Sequence, residues 1–226
     1  MAVAVLADAH IGGPGGPAAP LVAQLRALPG EGCTRLVVLG DLFQAWVGHP
    51  NFETPDIAAV VVVLRDLRQR GMRVDYIESN RDFFLAGSPY ADAFNGISRE
   101  VSFTAGGQRL LAVHGDGIDD RDWRYRFWRD LSKSRLGRAL SLNTPRRFAQ
   151  RMVTSTEERL SGTNFKHKIA IPEGAIRAYA ERRFTEGYDV LLLGHFHEER
   201  RWRIAGSEVR LLEAWFSSWR IERFEE

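Results

Sequence analysis

Asp8, His10, Asp41, Asn80, His114, His195 and His197 are the residues whose types and spacing could do chemistry together. Each lies just past a short apolar run. Asp8-Ala9-His10 closes the run at 3–7, Gly40-Asp41 the run at 36–39, and Asn80-Arg81-Asp82 comes two residues after 74–77. His114-Gly115-Asp116 follows 110–113, and Gly194-His195-Phe196-His197 follows 190–193. Oxygen and imidazole donors without thiolate suit Mn²⁺, Fe²⁺ or Zn²⁺ better than a structural thiolate zinc site. Seven donors are too many for one ion and suit two ions that share a bridging carboxylate. Two ions roughly 3.5–4 Å apart activate water at neutral pH and clamp the oxygens of an in-line phosphoryl displacement. His195 and His197 are expected to face one side, as alternate residues of a strand do, each serving a different ion. One such pair would ordinarily be incidental, but five strand ends that use four of the six histidines are not.

Runs at 3–7, 36–39, 74–77, 110–113, 190–193 and 209–212 read as strands, and the unbroken hydrophobicity of 3–7, 36–39, 110–113 and 190–193 is what burial on both faces requires. Helical patterns fall between some of them. From 57 to 69, Ile57, Val60, Val61, Leu64 and Leu67 share a face before Gly71; a second helix starts near Pro172, carries Ile176, Ala180 and Phe184, and stops at Gly187. Strands alternating with helices indicate an α/β fold with a sheet layered between helices. In such sheets ligands bind beyond the carboxyl ends of the strands, where all seven donors fall. The Gly- and Pro-rich stretch 12–20 reads as a loop.

At 226 residues the chain is expected to form one domain, 1–226, with a substantial core. Its single cysteine, Cys33, excludes a disulfide framework and suits a reducing, cytoplasmic setting. No charged segment precedes the first apolar run, which speaks against a signal peptide, and no run reaches the roughly 18–20 apolar residues of a membrane span. The formal charge is only +2, yet almost every basic residue is Arg, which favours bidentate phosphate contacts. A GC-rich genome would produce the same excess.

The segment 119–168 breaks the strand–helix rhythm. Trp123, Phe127, Trp128 and Leu131 form a helical stripe surrounded by arginines such as Arg121, Arg124, Arg126 and Arg129, and Arg146, Arg147 and Arg151 continue the pattern. This reads as a basic helical insertion. It would serve as a lid that admits acyl chains and rests on an anionic membrane surface. A plain structural cap and a surface for nucleic acid are the other two readings. The lid is preferred, so nucleic acid is not favoured as a partner.

The donor blocks resemble those of the calcineurin-like metallophosphoesterases. The surrounding words "GDLFQAW", "NRDFFL", "HGDGIDDRDWRY" and "GHFH" resemble, within them, the UDP-2,3-diacylglucosamine diphosphatases, over essentially the whole chain. The resemblance implies a layered sheet sandwich flanked by helices, with a helical lid insertion. It also implies two divalent ions, Mn²⁺ foremost, and cleavage of a nucleotide-linked acylated sugar to UMP and 2,3-diacylglucosamine 1-phosphate. By that resemblance Asp8, His10, Asp41 and His197 hold one ion, with Asp41 bridging, and Asn80, His114 and His195 complete the other. Asp41, Asn80, Arg81 and His114 are then the catalytic set. Arg81, Asp122 and Tyr125 would contact substrate beside Asn80 and His195, as would Ser161, Asn164 and Lys166 or Lys168. A peripheral place on the inner face of the bacterial inner membrane is implied, with no obligate protein partner.

Several positions depart from that family's pattern: Ser79 stands where Gly is usual, His49-Pro50 where acidic residues are usual, Phe196 between the last histidines, Glu198-Glu199 after them, and Glu213 where Gly is usual. All are expected near the head group. Relatives that cleave alkyl or aryl phosphates carry a His after the Asn as an acid for the leaving oxygen. Arg81 cannot give up a proton, but a leaving phosphate with pKa near roughly 6 needs none. The residue type therefore favours pyrophosphate cleavage. A nuclease or nucleotide phosphodiesterase with the same ions, and a metal-stabilised membrane-docking module, are the competing functions.

Overall fold

The apolar run that opens the chain becomes β1 (Ala2–Leu6), and its side chains part to opposite faces. Val3 and Val5 enter one core layer while Ala4 and Leu6 enter another. The computed structural model describes residues 1–118, 134–151, 153, 155 and 171–226. Five strands form the first sheet, in the order β12 (Glu222–Glu225), β1, β2 (Cys33–Val38), β4 (Arg73–Ile77) and β6 (Gly96–Ser98). The neighbours β1, β2, β4 and β6 pair in parallel, and β12 is the antiparallel edge. The second sheet runs β10 (Arg200–Ile204), β11 (Ser207–Leu211), β9 (Val190–Leu193), β8 (Gln108–Val113) and β7 (Glu100–Ala105).

Three apolar layers hold these sheets. Val3, Val37, Ile77, Phe103, Ala112 and Leu192 fill the space between the sheets. Outside the first sheet, Leu36, Val38 and Val74 pack against Leu21 and Leu25 of α1 (Ala19–Ala27) and Val60, Val61 and Leu64 of α2 (Pro55–Gln69). Outside the second, Leu111, Leu191 and Leu193 meet Ile176 and Ala180 of the helix at Glu173–Thr185. Both faces of the parallel strands are covered, as the apolar runs at 3–7, 36–39 and 190–193 demand. Among the described residues two five-stranded sheets stack face to face, flanked by helices, which is the layered sandwich the resemblance implied where the strand–helix alternation alone suggested one sheet.

The stretch 12–20 is not wholly loop, because α1 already begins at Ala19 with Pro20 in its first turn. Proline there lacks only an N–H that no helix would use. Thr54 starts α2, its hydroxyl accepting from the Ile57 amide at 3.2 Å.

Pairing register sets the height of the loops. Leu6 lies opposite Val38, and Val38 opposite Tyr76, so the loops after β1, β2 and β4 leave at one edge. Val113 lies opposite Leu193, which levels the loops after β8 and β9. A short parallel pair, β3 (Trp46–Val47) with β5 (Asp82–Phe83), ties the Asp41 segment to the Arg81 segment.

Within 119–168 the described residues include the helix Arg135–Asn143, whose Ser134 hydroxyl caps the Gly137 amide at 3.2 Å. Ala149 and Val153 bury against Phe52 and Val47, and Asn51 Nδ2 donates to the Thr144 carbonyl at 2.9 Å. Trp123, Phe127, Trp128, Asp122, Tyr125, Ser161, Asn164, Lys166 and Lys168 lie outside the described residues.

Candidate metal centre

Backbone strain marks the site first. Asp8, His10, Asp41, His195 and His197 all have left-handed φ, between 47° and 68°. Non-glycine residues enter that region at a cost, which persists only where the surroundings over-determine it. The Asp8–His10 turn is held by the His10 amide donating to the Asp41 carbonyl at 2.9 Å and the Ile11 amide donating to Leu42 at 3.0 Å. His195 donates its amide to Asp8 Oδ2 at 2.9 Å, binding the last loop to the first.

This geometry corrects the strand-alternation account of the final histidines. β9 ends at Leu193, and His195 and His197 stand in a left-handed loop beyond it. They diverge. His197 sits against His10, with ring nitrogens 3.1 Å apart, while the His195 ring packs on His114 at a centroid distance of 5.1 Å.

Ligating atoms of Asp8, His10, Asp41 and His197 all lie within 4.8 Å of one another, an arrangement that could hold one ion. His10 Nε2 is 3.4 Å from Asp41 Oδ2, and His197 Nε2 is 3.8 Å from Asp8 Oδ1. On the far side of Asp41, His114 Nε2 lies 3.7 Å from Oδ1. His114 Nδ1 is 2.6 Å from the Leu39 carbonyl, which selects the tautomer that leaves Nε2 as a free donor. Asp8 Oδ1, Asp41 Oδ1, Asn80 Oδ1 and His114 Nε2 are buried without a hydrogen-bond partner among the described residues. Buried polar atoms are normally paired, so the unpaired oxygens of Asp8 and Asp41, with His114 Nε2 beside them, fit a site for divalent cations.

Electrostatics agree. Burial pushes His10 down to about 3 and His195 down to about 4, so both rings stay neutral at physiological pH. Burial alone would raise Asp41, but His114, His10 and Arg81 outweigh it and hold the carboxyl well below its usual range. Burial raises Asp8. For His114 burial opposes charge, yet Asp41, Asp8 and Asp116 prevail and raise it. A pocket that attracts a proton onto His114 attracts a metal cation for the same reason.

Arg81 lies on the bridging candidate, its Nε 3.1 Å from Asp41 Oδ2 and its Nη1 donating to the Gln44 carbonyl at 3.2 Å. Two of the sequence departures are buried side chains next to candidate ligands. Ser79 is buried beneath Asp41, and Phe196 is buried in the layer outside the second sheet, its ring 5.3 Å from His195. Glu198, Glu199 and Glu213 form ion pairs with Arg200, Arg201 and Arg220. His49 lines a cavity of about 330 Å³ with Val47, Phe84, Pro89, Arg138 and Leu142, between the two site-bearing segments and the described part of the insertion.

Phe216 was not legible beforehand. Its ring stands edge-on to His10 at 5.5 Å and to His197 at 5.2 Å. The tie that brings it there is a backbone bond, the Trp215 amide donating to Ala7 at 2.9 Å, which carries no sequence signature.

The sequence is 30% identical over 190 residues to the UDP-2,3-diacylglucosamine hydrolase of Ralstonia nicotianae, covering 80% of this chain and 71% of that one. The chain belongs to the UDP-2,3-diacylglucosamine hydrolase family. The family's member from Serratia proteamaculans is 25% identical over 189 residues, covering 83% of this chain and 78% of its own. No protein-family model matches the sequence. A protein of unknown function from Aquifex aeolicus superposes over 98% of this chain and 95% of its own with a TM-score of 0.50 at 15% identity, which shows a shared fold alone. UDP-2,3-diacylglucosamine hydrolase membership accords with the sheet sandwich and with divalent metal ions at this rim.

Proposed function

We propose that the protein hydrolyses the pyrophosphate of UDP-2,3-diacylglucosamine to UMP and 2,3-diacylglucosamine 1-phosphate, as a step of lipid A biosynthesis. Family membership supports the substrate, and the position of Arg81 on Asp41 carries the reaction class. Asp8, His10, Asp41 and His197 would hold one ion, and Asp41, Asn80, His114 and His195 the second. Two bound divalent ions, Mn²⁺ foremost, would supply Lewis-acid polarisation and activate water. Arg81 offers a permanently charged guanidinium whose fork matches a phosphate edge. It has no proton to lend, and a departing phosphate requires none. Burial favours the neutral form of His10 and His195, the form in which an imidazole nitrogen can ligate a metal ion.

The cavity beside His49, lined largely by apolar side chains, supports a substrate with acyl chains over a polynucleotide, which would need an open basic groove. Exposed Leu142 and Phe148, set among exposed Arg138, Arg146, Arg147 and Arg151, suit contact with an anionic membrane surface.

The Mn²⁺-loaded protein, given UDP-2,3-diacylglucosamine, bis-p-nitrophenyl phosphate and single-stranded DNA in parallel, is expected to act fastest on the first and release UMP. Faster cleavage of the diester or of DNA overturns the assignment. Asp41→Ala should abolish turnover, since it removes the shared carboxylate. Near-normal turnover in a folded, metal-loaded Asp41→Ala protein would sink the two-ion reading.

A further inference from the structure

We infer that Ser79 is a positioning residue of this active site: its hydroxyl joins the loop that carries Asp41 to the loop that carries Asn80 and Arg81. The inference rests on the reading of Asp41 as the shared metal ligand. Ser79 is 1% exposed. A serine hydroxyl has one proton to give and two lone pairs to receive, and here each has a partner. The proton goes to Asp82 Oδ2 at 2.6 Å, the length of a charge-assisted O–H···O contact. One lone pair accepts the Asp41 amide at 3.0 Å, and the other accepts the Arg81 amide at 3.3 Å. Asp82 Oδ2 also receives the Ser79 amide at 2.9 Å, so the acceptor is anchored on the same turn.

The hydroxyl thus determines where two backbones stand relative to each other. Those backbones bear the groups that meet above it, the Asp41 carboxylate and the Arg81 guanidinium. Asp41 sits at φ 47°, a conformation its side chain does not favour and which the bond from its amide helps to hold. Packing repeats the dependence. A Cβ on Gly40 would lie 2.6 Å from the Ser79 Cβ, so the serine fills the space directly beneath the Gly40-Asp41 turn. A glycine at 79 would supply neither the hydroxyl nor that filling.

Groups that orient metal ligands from behind typically change metal affinity or activity by roughly 10–100-fold when removed. A residue that only fills space would lower stability and leave both unchanged. The test compares wild type, Ser79→Ala, Asp82→Asn and the double variant. It measures Mn²⁺ affinity by calorimetry, kcat and KM on UDP-2,3-diacylglucosamine, Tm of the metal-free proteins, and hydrogen exchange of the Asp41 amide. Ser79→Ala is expected to weaken Mn²⁺ about tenfold and lower kcat about tenfold with KM within about twofold. Asp41 amide exchange should quicken at least about tenfold. Because the two side chains act as one unit, the double variant should lose little beyond either single one.

The inference is overturned if Ser79→Ala lowers only Tm while Mn²⁺ affinity, kcat and Asp41 exchange stay within about threefold of wild type. Additive losses in the cycle overturn it as well. If Ser79→Ala fails to fold, Asp82→Asn decides by the same three readouts. Asp41→Ala is the control that separates the two readings. Unchanged Mn²⁺ affinity there removes the ligand assignment itself, whereas loss at Asp41 without loss at Ser79 removes only the positioning role.

Discussion

On the function proposed above, Arg81 sets the reaction class at the level of one side chain. A guanidinium held 3.1 Å from Asp41 can stabilise charge that builds on a transferred phosphoryl group, an effect of a few kcal/mol at a preorganised site. Arg81→Ala should therefore lower turnover by roughly a hundredfold while metal content, read by atomic emission, stays at the wild-type level. Arg81→His should not rescue the pyrophosphate reaction, although it restores a titratable acid, because a leaving phosphate gains little from protonation. Equal rates for Arg81→His and wild type on UDP-2,3-diacylglucosamine would refute this. His10 makes a second prediction at the same scale. Its folded value is about 3 against an ordinary 6.5, so between those values the unfolded chain binds a proton that the folded one does not. Its contribution to stability is present in full above about 6.5 and is lost as pH falls toward 3. Asp82, raised to about 6 by burial, works in the opposite direction, but equally in both proteins being compared. The Tm of chelator-treated wild type should fall more steeply from pH 7 to 4 than that of His10→Asn. Parallel profiles would refute the buried neutral imidazole.

The strand-to-loop turns determine which way the ligands point. Five candidate ligands occupy left-handed backbone, and two glycines make room for them. Gly40 adopts φ 78° above Ser79. Gly194 is required by space: a Cβ there would stand 2.8 Å from Asp8 Oδ2, the oxygen that receives the His195 amide. A single methyl would displace Asp8 and loosen the β9 loop at once. Gly194→Ala is expected to cost at least about tenfold in Mn²⁺ affinity by calorimetry. Wild-type affinity in that variant would mean that the Asp8–His195 link does not set ligand position.

Across the whole molecule, two sheets deliver their loops to one rim. The first carries Asp8, Asp41 and Asn80, the second His114, His195 and His197, so the centre is built across the sandwich and depends on the layer of Val3, Val37, Leu110 and Leu192 between them. The surface of the insertion belongs to this scale too. No helix among the described residues is long and apolar enough to cross a membrane. Exposed Phe148 lies beside Arg147, whose guanidinium stands 4.8 Å from its ring centre. Basic residues near an anionic bilayer contribute about 1 kcal/mol each, so Arg146→Glu with Arg147→Glu should weaken binding to vesicles containing anionic lipid by roughly 30-fold. Flotation assays that show no change would remove membrane contact by this face.

Much of this was legible in one dimension. Parallel strands covered on both sides favour unbroken apolar runs, so β1, β8, β9 and the end of β2 announce themselves, β4 does so less because Asp75 interrupts it, and the polar residue after each is visible by its chemistry. The types of the seven donors and the anomaly of Arg after Asn80 therefore needed no coordinates. The edge strands β7, β10 and β12 alternate or carry charge and gave weaker signals, and α1 was hidden behind Gly and Pro. Periodicity also misled at His195 and His197, because a strand pattern says nothing about where the strand ends and the left-handed turn begins. Only the tertiary structure could divide those two rings between His114 and His10, seat Phe216 against the histidines, and turn Ser79 inward beneath Asp41. Each of those facts is a contact between segments far apart in the chain, made by backbone bonds and packing that any sequence of suitable size can supply. Residue type reports what chemistry a side chain can do, and the fold alone decides which neighbour it does it with.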